Sequence, residues 1–281
     1  METILIPTDF SDNAADALYY TIAMLSGRAA NIHLLHVITP TVIVSEVPIQ
    51  TVDFYRADLE AAQQKLAAVV RFSEKSLPAD SQITLSTDVI VGSIVPIIKE
   101  EALRMEAGLI VMGTRGENHN YWEKIIGTVS SDVLIGAPCP VLLIPADFEY
   151  QPIETLLFAT NLSHGDPYEL NRAIEKLDQP LNTVRCLHVI KEEEKIDKVE
   201  LETFAKYMVA HSPIENTIFN VETNKSVIAG INNFTETYYI QLIAMHRSKQ
   251  GLRETLFEPR FTKKMSSQFQ VPLLVMDNRE A

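Results

Sequence analysis

The apolar positions of this chain fall into two alternating rhythms. Short unbroken apolar runs occur at Ile4–Pro7, Ile32–Ile38, about Thr84–Val91, Leu109–Met112 and Val141–Ile144. Such runs, rich in β-branched and aliphatic residues, predict strands buried on both faces. Between them, apolar residues recur every three or four positions, which predicts helices with one buried face. The first helix runs from a Ser11 or Asp12 cap to about Leu25, with Gly27 as its stop. The second covers about Asp58–Leu77, with Leu59, Ala62, Leu66, Val69 and Val70 on one face. The third starts at a Ser93 cap, turns Ile94, Ile97, Ile98, Ala102 and Met105 inward, and stops at Gly108. The fourth opens at Gly127-Thr128, carries Val129, Val133 and Leu134, and ends at Gly136. Regular alternation of strand and helix predicts the α/β class: a parallel, doubly wound sheet covered by helices on both faces.

The whole pattern then recurs. Glu2–Ser11 reads ETILIPTDFS, and Glu154–Ser163 reads ETLLFATNLS. The same separation of 152 residues pairs His36-Val37-Ile38 with His188-Val189-Ile190. Leu109–Met112 pairs with Leu242–Met245, and Pro140–Leu143 with Pro272–Val275, at separations of 133 and 132. The second copy has therefore lost 19 residues between its second and fourth strands. A period this long predicts two whole domains in tandem, 1–146 and 152–281, with a boundary near Ala146–Pro152. Each is expected to be a Rossmann-like or flavodoxin-like unit with a five-stranded sheet.

The 281 residues are 46% hydrophobic, enough for two sizeable cores. A net charge of −13 argues against nucleic acid as a partner, since phosphate backbones favour basic surfaces. No apolar run reaches the ~18 residues of a membrane span, and the start of the chain lacks a leader pattern. A soluble, cytoplasmic protein is expected. The two cysteines, Cys139 and Cys186, sit in apolar runs without a CxxC and read as reduced core residues.

Doubly wound sheets bind ligands outside the carboxyl ends of their strands, where the strand order reverses. Thr8 and Asp9 after strand one, Val37 near the end of strand two, and Met112-Gly113 after strand four all open on that edge. Gly113, Arg115 and Gly116 then lead through ten residues to Gly127-Thr128-Val129-Ser130 at a helix start. Glycines let backbone N–H groups approach an anion, and a helix N-terminus adds partial positive charge, so the arrangement suits phosphates. It is neither a Walker loop nor a G-x-G-x-x-G fingerprint. Each residue also has a plainer reading: Asp9 and Thr128 as helix caps, Gly113 and Gly116 as turn glycines, Arg115 as a solvated surface charge.

The glycine spacing resembles the loop of the universal stress proteins, G-x2-G-x9-G-[ST], with ten residues here where that pattern has nine. Ile4–Ser11 is similar to the family's first strand and turn, and Pro138–Ile144 to its last strand. The resemblance implies ATP or another adenine nucleotide, with Mg2+ accompanying it, bound in the first half. It carries Pro7, Thr8, Asp9, Val37, Met112, Gly113, Arg115, Gly116, Gly127, Thr128, Val129 and Ser130 over as nucleotide-binding residues, with Asp9 on the adenine. It also implies a role in stress response through a protein partner that the sequence does not identify. Val141–Ile144 is expected to pair with Leu273–Met276 inside the chain, with a further homodimer conceivable. Two other readings stand beside this one: an interaction protein that binds no nucleotide, and a slow ATPase. The chain has no nucleophile elbow, no HExxH and no Walker lysine to support fast catalysis.

The second copy departs from the motif. Asn161 stands where Asp9 would be, His246 for Gly113, Lys249 for Gly116 and Pro259 for Gly127. It is not expected to hold a nucleotide in the same manner. His164, His246, Arg247 and Lys249 read as exposed remnants, with an anion-liking pocket as the alternative. His36 and His188 occupy equivalent positions and read as structural; His33 and His36 lie on opposite faces of a strand and cannot chelate together. No group of residues has metal-ligand spacing. Thr41–Asp53, present only in the first copy, reads as a loop on its own domain or an arm over the ligand edge.

Overall fold

The computed structural model describes residues 1–40, 55–77, 81–114, 128–192, 197–246 and 270–276, with the side chain of Thr128 excepted. Thr41–Asp53 lies outside them. The first half contributes β1 (Glu2–Pro7), α1 (Asp12–Met24), β2 (Ala30–Ile38), α2 (Arg56–Ser76), β3 (Ile83–Val91), α3 (Ile94–Arg104), β4 (Leu109–Gly113), α4 (Thr128–Leu134) and β5 (Val141–Ile144). The second contributes β6 (Thr155–Ala159), α5 (Asp166–Leu177), β7 (Thr183–Lys191), α6 (Lys198–His211), β8 (Thr217–Asn224), α7 (Val227–Tyr238), β9 (Leu242–His246) and β10 (Leu273–Met276).

Local chemistry places several of these boundaries. Ser11 caps α1: its backbone is extended and its Oγ accepts from the Ala14 N–H at 3.2 Å. Gly27 turns the chain after α1 with a φ of 81°, a left-handed conformation that favours glycine. Ser93 occupies the N-cap position of α3, but its hydroxyl makes no capping bond there. On α3, Ile98 and Ala102 are buried, whereas Ile94, Ile97 and Met105 are only half-buried. Ile94 and Ile97 nevertheless pack against the same core as Ile98 and Ala102, so the inward face is the one the apolar spacing predicts.

The ten strands form one sheet in the order β3-β2-β1-β4-β5-β10-β9-β6-β7-β8. Each half is the expected doubly wound parallel arrangement, and all neighbours within a half run parallel. The two five-stranded halves join through a single antiparallel seam, with Leu273 opposite Leu143, Leu274 opposite Leu142 and Val275 opposite Val141. The expected pairing of the last strands is in place. The seam covers two strand edges that would otherwise stay open.

One apolar core lies on each face of this sheet and runs through both halves. Ile4, Leu142 and Ile144 share a core with Phe158, Leu170 and Leu274; Leu5, Ile110 and Leu143 share the other with Leu157, Ile231 and Leu273. Cys139 and Cys186 are buried free thiols, as expected for core residues. Among the described residues, no helix is long and apolar enough to cross a membrane.

The halves also meet at two helix ends. The last carbonyls of a helix lack partners within it. Here each end receives a donor from the other half: Arg28 Nη1 donates to the Leu177 carbonyl at 2.9 Å, and Gln179 Nε2 donates to the Met24 carbonyl at 3.0 Å. A cation beside the C-terminus of α5 also suits its dipole. Glu2 accepts from Lys176 at 2.6 Å and lies 3.8 Å from Arg28. The connector is pinned as well: Tyr150 packs edge-on against Tyr20 at 5.2 Å and donates its hydroxyl to Gln179 at 3.0 Å. Burial, with Tyr150 nearby, pushes the Tyr20 phenol well above its ordinary range.

Candidate functional site

β2, β1 and β4 are adjacent and parallel, so their carboxyl ends fall on one edge. From β1 the chain winds outward through β2 to β3, and from β4 it winds the other way to β5. The strand order thus reverses between β1 and β4, the place where such sheets hold ligands. The structure brings Pro7, Thr8, Asp9, Val37, Met112 and Gly113 together along this edge.

The turn after β1 is built mostly from its own polar groups. The Thr8 N–H donates to the Leu35 carbonyl at 2.8 Å, which ties the turn to β2. Thr8 Oγ1 accepts from the Phe10 N–H at 3.1 Å, and Phe10 adopts a φ of 66°. Asp9 Oδ1 accepts from the Ser11 N–H at 3.0 Å and from the Ser11 hydroxyl at 2.6 Å. Of the two readings of Asp9, the capping role thus falls to Ser11. Asp9 orients that cap from one step back and keeps its carboxylate exposed at the edge.

His36 Nδ1 lies 2.7 Å from the Thr8 carbonyl oxygen. A carbonyl only accepts, so this nitrogen carries the proton and donates. The ring also stacks on Phe10 at 4.5 Å, and Lys65 lies over the other ring at 5.2 Å from its centroid. The second half repeats four features of the turn: Thr160 N–H to the Leu187 carbonyl at 2.9 Å, Leu162 N–H to Thr160 Oγ1 at 2.9 Å, His188 Nδ1 to the Thr160 carbonyl at 3.0 Å, and Leu162 at a φ of 65°. The structural reading of both histidines holds. Their role as clamps on the turn was findable only by aligning the repeats.

At the end of β4 the glycine has a packing reason. A Cβ on Gly113 would lie 2.6 Å from Asn13 Oδ1 and 2.7 Å from the Asn13 carbonyl oxygen. Its vacant side therefore faces α1, and Asn13 fills the space while donating to the Ile144 carbonyl at 3.3 Å. Ser130 Oγ donates to the Gly113 carbonyl at 2.9 Å, so this buried hydroxyl ties α4 to β4. Met112 is buried and Val129 half-buried. Arg115, Gly116, Gly127 and the ten-residue excursion lie outside the described residues.

The second half fills the matching corner differently. His246 ends β9 with its side chain 13% exposed, Nδ1 3.8 Å from Asp166 Oδ1 and Nε2 4.0 Å from Glu169 Oε1. The expectation of an exposed remnant fails for His246, because α5 places two acids over it; it holds for His164, which is exposed. Arg247, Lys249 and Pro259 lie outside the described residues.

Asp9 offers an exposed acceptor, and Val37 a half-buried apolar surface. Among the described residues, no group of three or more His, Cys, Asp or Glu side chains could hold a metal ion.

Fold and edge together define a tandem doubly wound α/β protein with its switch point between β1 and β4. A model of the universal stress protein family matches residues 1–145, and the chain belongs to that family. A universal stress protein of Methanocaldococcus jannaschii is 28% identical over 143 residues, spanning 50% of this chain and 80% of that relative. The fold of the whole chain is similar to that of a universal stress protein from Archaeoglobus fulgidus, with a TM-score of 0.70, 20% identity and 98% of both chains covered. It is also similar to a functionally uncharacterised protein from Pseudomonas aeruginosa, with a TM-score of 0.63, 15% identity, and 99% and 92% covered.

Proposed function

We propose that the first half binds ATP or another adenine nucleotide across the carboxyl ends of β1, β2 and β4, and that the protein acts in stress response through a partner protein. The observation that carries this reading is the convergence of Thr8-Asp9, Val37 and Gly113 at the point of strand-order reversal. Family membership supports it. In this reading the Asp9 carboxylate accepts from the exocyclic amine of adenine, a donor that guanine lacks at that position. Val37 covers the base, and the helix start at Thr128–Ser130 faces the phosphates. Mg2+, when bound, would neutralise part of the phosphate charge.

Isothermal titration of the intact protein with ATP and with GTP tests this. Saturable heat with ATP, weaker with GTP and lost in Asp9→Ala, is the expected result. No heat at millimolar ATP overturns it and leaves the family's interaction role without a nucleotide. That second reading draws on one observation: Gly113 is already explained by its contact with Asn13. Any ATP hydrolysis that survives Asp9→Ala and Gly113→Val belongs elsewhere than this edge.

A further inference from the structure

We propose that the outer edge of β3 is a docking strip for an extended segment of a partner protein, one that carries an acidic side chain for Arg71. β3 ends the ten-stranded sheet, so among the described residues one side of it has no neighbouring strand. The Gly92 N–H donates to the Ile38 carbonyl at 2.9 Å, which fixes the alternation: residues 84, 86, 88 and 90 turn their main chain toward β2. Ile83, Leu85, Thr87 and Val89 turn theirs outward. Two of these four outward N–H groups are already taken. Ser81 Oγ accepts from Ile83 at 3.3 Å, and Asp88 Oδ1 accepts from Val89 at 2.8 Å. Between them, the N–H groups of Leu85 and Thr87 have no partner among the described residues. Such an edge is a template for one more strand.

A groove lies against this open stretch. It holds about 630 Å³ and is lined by Leu85 and Thr87 from β3 and by Gln64, Ala67 and Arg71 from α2. The three helix residues share one face, and Ala67 between the two longer side chains leaves room for an incoming one. Arg71 Nε donates to the Ala67 carbonyl at 3.2 Å, and among the described residues no carboxylate pairs with its guanidinium. A guanidinium takes a carboxylate on two parallel N–H groups. In a chain of net charge −13, Arg71 is thus a positive point beside two unpaired donors. A strand added at Leu85 and Thr87 meets it with an acid.

The fold alone does not dictate this groove. Thr87 lies beside Leu34, and Phe219 lies beside Cys186, 152 residues on from Leu34. At that place in the second half, Phe219 packs edge-on against Phe204 of α6 at 6.0 Å. An aromatic pair thus stands where the first half leaves Thr87 and Ala67 exposed. A second copy of this chain offers the groove another arginine rather than an acid, so it is the poorer complement. The strip lies on β3, apart from the switch point between β1 and β4, and does not depend on a nucleotide.

The probe is an end-blocked heptapeptide of Thr and Val with a central Glu, titrated into the intact protein and followed by backbone amide NMR shifts. Its twin carries Lys in place of Glu. Saturable shifts centred on residues 64–71 and 83–89 are expected. Binding should be about threefold weaker or worse for the twin and for Arg71→Gln, the scale of an exposed ion pair. Thr87→Pro removes an outward N–H and no ladder bond, so the fold should stand while binding is lost. Shifts absent at millimolar peptide, equal binding of the twin, or binding indifferent to Thr87→Pro overturns the proposal. So does a concentration-dependent dimer in sedimentation that Thr87→Pro disrupts, since the edge then belongs to a second copy. Should Thr87→Pro fail to fold, the Glu peptide methylated on its main-chain nitrogens decides in its place: its binding as tightly as the parent overturns the proposal.

Discussion

Gly113 sits where a Cβ would stand 2.6 Å from Asn13 Oδ1, and at the corresponding positions of the second half the glycine lies at the helix instead of on the strand. There the strand end carries the ring, His246, and the helix start carries the glycine, Gly165. The space beside Gly113 is filled by Asn13, whereas the space beside Gly165 is open. Gly113→Ala should therefore destabilise the protein by about 1–3 kcal/mol, the range for overpacking a close contact. Gly165→Ala, whose added Cβ meets nothing closer than Ser163 Oγ at 3.9 Å, should cost under about 1 kcal/mol. Urea midpoints of the two variants check the contrast, and equal losses would refute it.

Arg28→Ala should loosen the joint between the halves. It removes the donor to the Leu177 carbonyl and the ion pairs to Glu2 and Asp178, of which the Asp178 pair is largely screened by solvent. A loss of about 1–2 kcal/mol is expected, mostly from the carbonyl left without its charged donor. Thermal unfolding of Arg28→Ala, Gln179→Ala and the double variant measures it. Strict additivity would mean that the two caps do not share one joint.

Acid should weaken the first half through His33. Ser86 donates to Asn31 Oδ1 at 3.2 Å, so the Ser86 oxygen is free to accept and His33 Nδ1 donates to it at 2.9 Å. The other ring nitrogen is buried and makes no hydrogen bond among the described residues. Burial holds the His33 pKa below its usual value, and Arg104 lowers it further, against an upward pull from Asp88 and Glu101. A lowered folded value means that stability is complete above ~6.5 and declines as pH falls below it, toward the folded pKa. Chemical denaturation from pH 8 to pH 5 should show a shallower decline in His33→Gln. Parallel curves for the two proteins would rule this histidine out.

Neither thiol should react while the protein is folded. Burial, reinforced by Asp166, pushes Cys186 up to about 12, so almost no thiolate exists near neutrality. Cys139 is 1% exposed. A disulfide reagent such as dithiobis(nitrobenzoate) should find no fast equivalent in the native protein and both thiols in denaturant. One fast native equivalent would contradict the burial of that cysteine.

The strands were legible because continuous burial on two faces writes an unbroken apolar run: Val141–Ile144 was read to the residue, and β1 and β2 to within two. The repeat was legible because the turn Thr8–Ser11 and its counterpart need the same hydroxyl, left-handed and histidine-clamped positions. The corner at Gly113 was not. A glycine in a sequence does not disclose whether its vacant side opens toward a ligand or toward Asn13, which lies a hundred residues away in the chain. The fate of His246 was hidden for the same reason, since its acids sit on α5 and only folding brings them over the ring.

The antiparallel seam between β5 and β10 has a lasting consequence. When two identical subunits meet at such a strand pair, every substitution appears on both sides at once. Written into one polypeptide, the pair has a fixed mate and a fixed stoichiometry, and each side can drift alone. In this chain one strand end carries Gly113 and its twin carries His246.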